Sequence, residues 1–177
     1  MIRFTGVKFD KSEMKLLKEV AQFTLDKFIP RSKQKNIHVT INLTESPGWS
    51  GECEYVGNED GVRKFKTMVS TKRVNTRAKK LLVKLKDPMK TIIHEMVHVK
   101  QYATNQMFDY INGDTKFEGK LYKNTRNYLE YWDHPWEQEA YGRTDGIYEQ
   151  FLFCRKHGLS LKEAKRKIGK INIKDLN

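Results

Sequence analysis

The sequence predicts a single α+β domain, and three observations carry that expectation. Strand-like alternation dominates the stretch before residue 72, where the turn Asp60-Gly61 joins two strand-like runs. Two long stretches with helical spacing follow, each opening on a proline, Pro88 and Pro135. The 177 residues suffice for one core, and no repeat or low-complexity linker divides them. The expected layout is an N-terminal helix with a mainly antiparallel sheet over about residues 1–86, two functional helices over about 87–158, and a basic tail over about 159–177.

Taken in order, Ser12 is placed to cap a helix that runs to Phe28, with Met14, Leu16, Leu17, Val20, Ala21, Phe23 and Leu25 at helical spacing. Pro30 ends it. Residues 37–43, IHVTINL, alternate apolar and polar with β-branched side chains and read as a half-buried strand. ESPGWSG reads as a loop, and CEYVG and VRKFKTMVST around NEDG as a hairpin. KKLLVKLK fits either another strand or a helical lead-in. Asp87 then caps a long helix with Pro88 at its first position, running to about Asn105. FDYI and KFEGKLY flank Asn112-Gly113-Asp114 as a second hairpin. Pro135 starts another helix, which Gly142 and Gly146 are expected to bend or break and Gly158 to stop. SLKEAKRKIGK is a short basic amphipathic helix before frayed final residues.

Composition narrows the class. Hydrophobic residues make up 38% and charged residues 32% of the chain, and no run approaches the roughly 18 apolar residues that span a bilayer. The N-terminus lacks the apolar stretch of a signal peptide, so a cytoplasmic location is expected. Cys53 and Cys154 are too few for a disulfide framework and lack Cys-x-x-Cys spacing, so both read as packing residues. Net charge is +12, unevenly spread: residues 72–90 and 155–174 each carry eight basic residues and one acid, while residues 130–149 carry six acids and one base. Such a surface suits nucleic acid or an acidic protein, although no helix-turn-helix or aromatic-interleaved pattern accompanies it.

The chemistry lies in TIIHEMVHVKQY, residues 91–102. His94 and His98 stand one helical turn apart and project from one face, where two imidazoles can grip one zinc ion. Glu95 is rotated by one residue, so it flanks the metal and can accept a proton from water that the metal acidifies. Ile92, Ile93, Met96, Val97, Val99 and Ala103 make the rest of the helix apolar. By composition alone, a chance His-Glu-x-x-His is about a one-in-a-hundred event.

A third ligand is needed. Glu137, in the first turn of the Pro135 helix and 39 residues past His98, can complete a His₂Glu site with one position open. Glu139, two residues on and on roughly the opposite side, is its rival, and His134 is a further candidate. His38 and His157 read as ordinary surface residues. For the oxyanion of a hydrolytic reaction, Tyr141, one turn from Glu137, is the candidate, with Arg143 and Tyr148 behind it; each also reads as a packing residue.

HEMVH followed by a helical Glu-x-x-Ala, here Glu137 to Ala140, resembles the gluzincin zinc metallopeptidases. The paired HExxHxxQ and PWExEAY stretches are similar to those of phage-encoded predicted metallopeptidases. The resemblance rests on residues 92–102 and 132–143. It implies a zincin-like fold, Zn²⁺ on His94, His98 and Glu137, Glu95 as general base, a peptide or protein substrate, and host cytoplasm as the location if the chain is phage-encoded. The chain departs from the family in its longer connection between the motifs and in Tyr141, where many relatives carry an aspartate that supports a histidine ligand. A His134 ligand would instead resemble SprT-like proteases, which act in association with nucleic acid. In zincin-like peptidases the edge strand before the active-site helix pairs with extended substrate; residues 64–72, or less simply KKLLVKLK, match that segment.

Overall fold

The computed structural model describes residues 1–45, 50–125 and 127–168. Part of the ESPGWSG loop and the last residues of the basic tail lie outside the described residues. The chain begins with a strand, β1 (Ile2–Gly6), followed by α1 (Lys11–Phe28), a single turn α2 (Arg31–Gln34) and β2 (Ile37–Thr44). The intervening helices return the chain so that β1 and β2 pair in parallel. A hairpin follows, β3 (Gly51–Glu59) and β4 (Val62–Ser70), turning through Asp60 and Gly61 at φ 51° and 76°.

β4 inserts between β2 and β3, parallel to the first and antiparallel to the second, giving the order β1-β2-β4-β3. The sheet is therefore mixed, with two parallel ladders to one antiparallel, and not mainly antiparallel. The expectation rested on the hairpin alone; β1 is five residues long, and its partner lies beyond a whole helix. The same insertion corrects the edge. Residues 64–72 fall mostly in β4, which is internal, and β3 forms the free edge.

Asp10, not Ser12, caps α1. Its Oδ1 accepts from the backbone N–H of Ser12 at 2.7 Å and Glu13 at 2.8 Å, and Glu13 Oε2 accepts from Asp10 N–H at 2.9 Å, a complete capping box. Leu16, Leu17, Val20, Ala21 and Leu25 then face the core.

KKLLVKLK is the helical lead-in: α3 (Leu81–Lys84) hands over to α4 (Lys86–Ala103) through Leu85, whose N–H reaches Leu81 O and whose C=O accepts from Met89. Asp87 consequently lies inside the first turn and caps nothing. α4 packs on the sheet, on α1 and on α6 (Pro135–Lys156), and its Ile92, Ile93, Val97 and Val99 are fully buried. Between them run three short antiparallel strands, β5 (Met107–Asp109), β6 (Thr115–Phe117) and β7 (Lys120–Tyr122), and the short helix α5 (Tyr128–Asp133).

α6 is continuous over 22 residues, so Gly142 and Gly146 do not break it. A side chain at either position would meet open space. Gly158, at φ 61°, does stop the helix, and Ser160 with Glu163 opens α7 (Leu161–Ile168). Both cysteines are free, Cys154 buried and Cys53 half-buried against the core. Among the described residues no helix is long and apolar enough to cross a membrane.

Candidate metal centre

α4 and α6 pack against one another, and the small side chain of Ala140 on α6 is fully buried. That packing brings the first turn of α6 over the polar face of α4. His94 Nε2 and His98 Nε2 stand 3.2 Å apart. Glu137 Oε2 lies 3.3 Å from His94 Nε2, and Oε1 lies 3.5 Å from His98 Nε2. Two ligands bound at about 2.0–2.1 Å around a tetrahedral ion stand about 3.3–3.4 Å apart, so the three side chains already span such an ion. His98 and Glu137 are buried, and the His94 side chain is 12% exposed. Glu137 Oε2 is buried without a hydrogen bond, an acceptor aimed at the point where the three groups converge. This group could hold a metal ion.

The ligand orientations have identifiable supports. Gln101, one turn beyond His98 and fully buried, accepts from His98 Nδ1–H at 2.7 Å, which leaves the Nε2 lone pair facing the site. The Gln101 amide N–H₂ donates to Trp136 O at 3.0 Å and to Glu139 Oε2 at 3.1 Å. Tyr131, on α5, donates its hydroxyl to Glu137 Oε1 at 2.7 Å. Tyr141 lays its ring 4.3 Å from that of His94 and 4.9 Å from that of Trp132. Tyr141, where the resemblance led one to expect an aspartate, offers no such acceptor; Gln101 supplies one to His98.

The rivals for third ligand are engaged elsewhere. Glu139 accepts from Lys100 Nζ and Arg143 Nε, each at 2.7 Å, and from the Gln101 amide. Burial alone would raise its carboxyl, but Lys100 and Gln101 outweigh burial and hold it low. His134 stacks on Trp136 with ring centroids 4.1 Å apart and stays outside the ligand group. His38 lies on β2 and His157 against Phe153, both away from it. Of the other oxyanion candidates, Arg143 serves Glu139 and Tyr148 is buried in the core. Gln101 and Tyr131 escaped the sequence reading. Gln101 had a signal, a helical position three residues past His98; Tyr131 sits on a six-residue helix announced only by Asn127, whose side chain caps it.

Glu95 is 3% exposed, and burial pushes its carboxyl up to about 8. Glu137 is also penalised by burial, yet the two imidazoles hold it well below the carboxylate range. Burial lowers His94, whereas at His98 the Glu137 contact outweighs burial and raises it. An anionic carboxylate facing two imidazoles accounts for the shifts of Glu137 and His98; at His94 burial outweighs the same contact.

A cavity of about 980 Å³ opens beside these groups. The edge strand β3 walls one side through Gly51, Glu52 and Cys53; Asp109 and Thr115 of the small sheet and Tyr131 wall the other. Tyr102 in the same wall hydrogen-bonds Asp109. No family model matches the chain, and neither a curated protein nor a solved structure matches it.

Proposed function

We propose that the chain is a zinc-dependent peptidase of gluzincin-like type. The observation that carries this reading is the convergence of His94 Nε2, His98 Nε2 and the two Glu137 carboxylate oxygens, with contacts of 3.2–3.5 Å, on the floor of an open cavity with Glu95 beside it. His94, His98 and Glu137 would hold zinc, which supplies a Lewis acid and brings the pKa of a coordinated water toward about 7. Glu95 accepts the proton of the attacking water and passes it to the leaving amine. The hydroxyl of Tyr131 is already at the ligand carboxylate, and Tyr141 packs on His94. These two tyrosines are the candidates to donate to the developing oxyanion. The free edge of β3 gives an extended peptide main-chain partners along the cavity wall. We place this activity in the cytoplasm.

The test is one preparation measured twice. Wild-type protein should retain about one zinc per chain after dialysis and cut members of a peptide library. Glu95→Gln should keep the metal and lose at least about a hundredfold in kcat. Equal cleavage by the two proteins would overturn the mechanism. Zinc retention with no cleavage of any peptide would leave a metal-stabilised fold without activity. Loss of zinc from His94→Ala checks the ligand assignment.

A second reading has its own observation. Lys72, Arg73, Arg77, Lys79 and Lys80 are all exposed on the connection after β4, and Lys86 is exposed at the start of α4. They form a surface for nucleic acid, on which a protease could be localised. A gel shift on DNA that weakens as salt rises would support it, and no shift at low salt would exclude it.

A further inference from the structure

We propose that Gly51 is a positioning residue for Glu95: the side chain missing at the first residue of β3 is the space that the Glu95 carboxylate occupies. The inference rests on Glu95 being the general base. A Cβ built on Gly51 would stand 2.3 Å from Glu95 Oε1, 2.9 Å from Glu95 Cδ and 2.7 Å from Thr91 Cγ2. Gly51 has no positive φ, so its backbone alone would admit any residue. The requirement for glycine comes from close approach, not from conformation.

Neither backbone can retreat. Gly51 pairs with Val69, which is fully buried, and Ser70 N–H donates to Ser50 O at 2.8 Å, so the start of β3 is tied to β4. Below it, Thr91 and Glu95 are one turn apart on α4, whose neighbouring Ile92 and Met96 are packed in the core. The groups free to give are the Glu95 carboxylate and, by a smaller shift, the Thr91 methyl. Ordinary contact begins near 3.4 Å, so an added methyl displaces that carboxylate by about 1 Å. The same strand residue lines the cavity, so Gly51 sets where the base stands relative to whatever the cavity receives. A displacement of that size at a reacting group costs about a hundredfold in rate.

Two cycles test this on the full-length zinc-loaded protein. In the kinetic cycle, Gly51→Ala should lower kcat about a hundredfold with KM and zinc content unchanged. Added to Glu95→Asp, whose carboxylate is one methylene shorter and clear of the methyl, it should cost less than about threefold more. In the stability cycle, Gly51→Ala should lower the melting temperature by about 4 °C or more with Glu95 present, and by less than half of that in a Glu95→Ala background. Equal losses in both backgrounds would mean that Gly51 and Glu95 do not compete for space, and would overturn the proposal. A wild-type protein that binds zinc and cuts no peptide would instead overturn the peptidase reading, and the stability cycle would still decide the contact.

Discussion

His98 is the ligand with both nitrogens accounted for, and Gln101 is the reason. Its carbonyl fixes the Nδ1 proton, and its amide is itself anchored by Trp136 O and Glu139. Gln101→Leu keeps the volume but removes the acceptor and buries an unpartnered N–H. Zinc affinity should then fall about 10–100-fold, read by competition with a chromogenic chelator. Unchanged affinity would show that packing alone orients His98. Tyr131 makes a different prediction, because it touches the ligand and not the histidine. Tyr131→Phe should retain zinc and lower kcat about a hundredfold if its hydroxyl serves the oxyanion. Tyr141→Phe, which keeps the ring on His94, separates the two candidates: whichever variant retains full turnover names the residue that does not donate. The set His94, Glu95 and His98 was legible in the sequence because their relation is local, one helical turn; Glu137, 39 residues on, rested on the family resemblance against Glu139 and His134. Gln101 was legible by the same rule and was not used. Tyr131 was not, since a six-residue helix has no periodicity to read, and Gly51 was not, since its constraint is a contact with a residue 44 positions away.

At the scale of elements, the long helices, the strand β2 and the β3–β4 hairpin were readable, and the order of the sheet was not. The apolar spacing of α1 and α4 repeats within each segment, whereas the order β1-β2-β4-β3 depends on partners brought together from across the chain. α6 shows the opposite failure, a local signal that tertiary structure overrides. Its two glycines cost helix propensity, yet the helix is held along its length by Ala140, Ile147, Phe151 and Cys154 in the core. Because a methyl at Gly142 or Gly146 meets nothing and neither has a positive φ, the glycines confer no packing benefit. Gly142→Ala and Gly146→Ala should each stabilise the fold by about 0.5–1 kcal/mol, with activity unchanged. Chemical denaturation at fixed zinc measures this. A destabilisation would mean that these positions face a partner or substrate in solution.

For the whole molecule, the candidate ion would be a structural tie as well as a reagent. Its ligands come from α4 and α6, two helices that pack against one another in the second half of the chain. Without a cation, that packing buries two carboxylates, Glu95 and Glu137, beside one another, and burial has raised the first to about 8. Binding that favours only the folded state stabilises it by RT ln(1 + [L]/Kd), about 4 kcal/mol when free zinc is a thousandfold above Kd. In a chain of 177 residues each kcal/mol moves the midpoint by about 2–4 °C, so stripping the metal should lower the melting temperature by about 10 °C. Scanning calorimetry with and without a chelator reads that shift, and added zinc should restore it. The Glu137→Ala protein should show little of it, since two imidazoles alone hold the ion weakly. Calcium or magnesium should not substitute, because a pair of imidazole nitrogens favours zinc over ions that prefer oxygen. An equal midpoint with and without chelator would mean that no tightly bound ion spans α4 and α6, and the peptidase reading would lose its foundation.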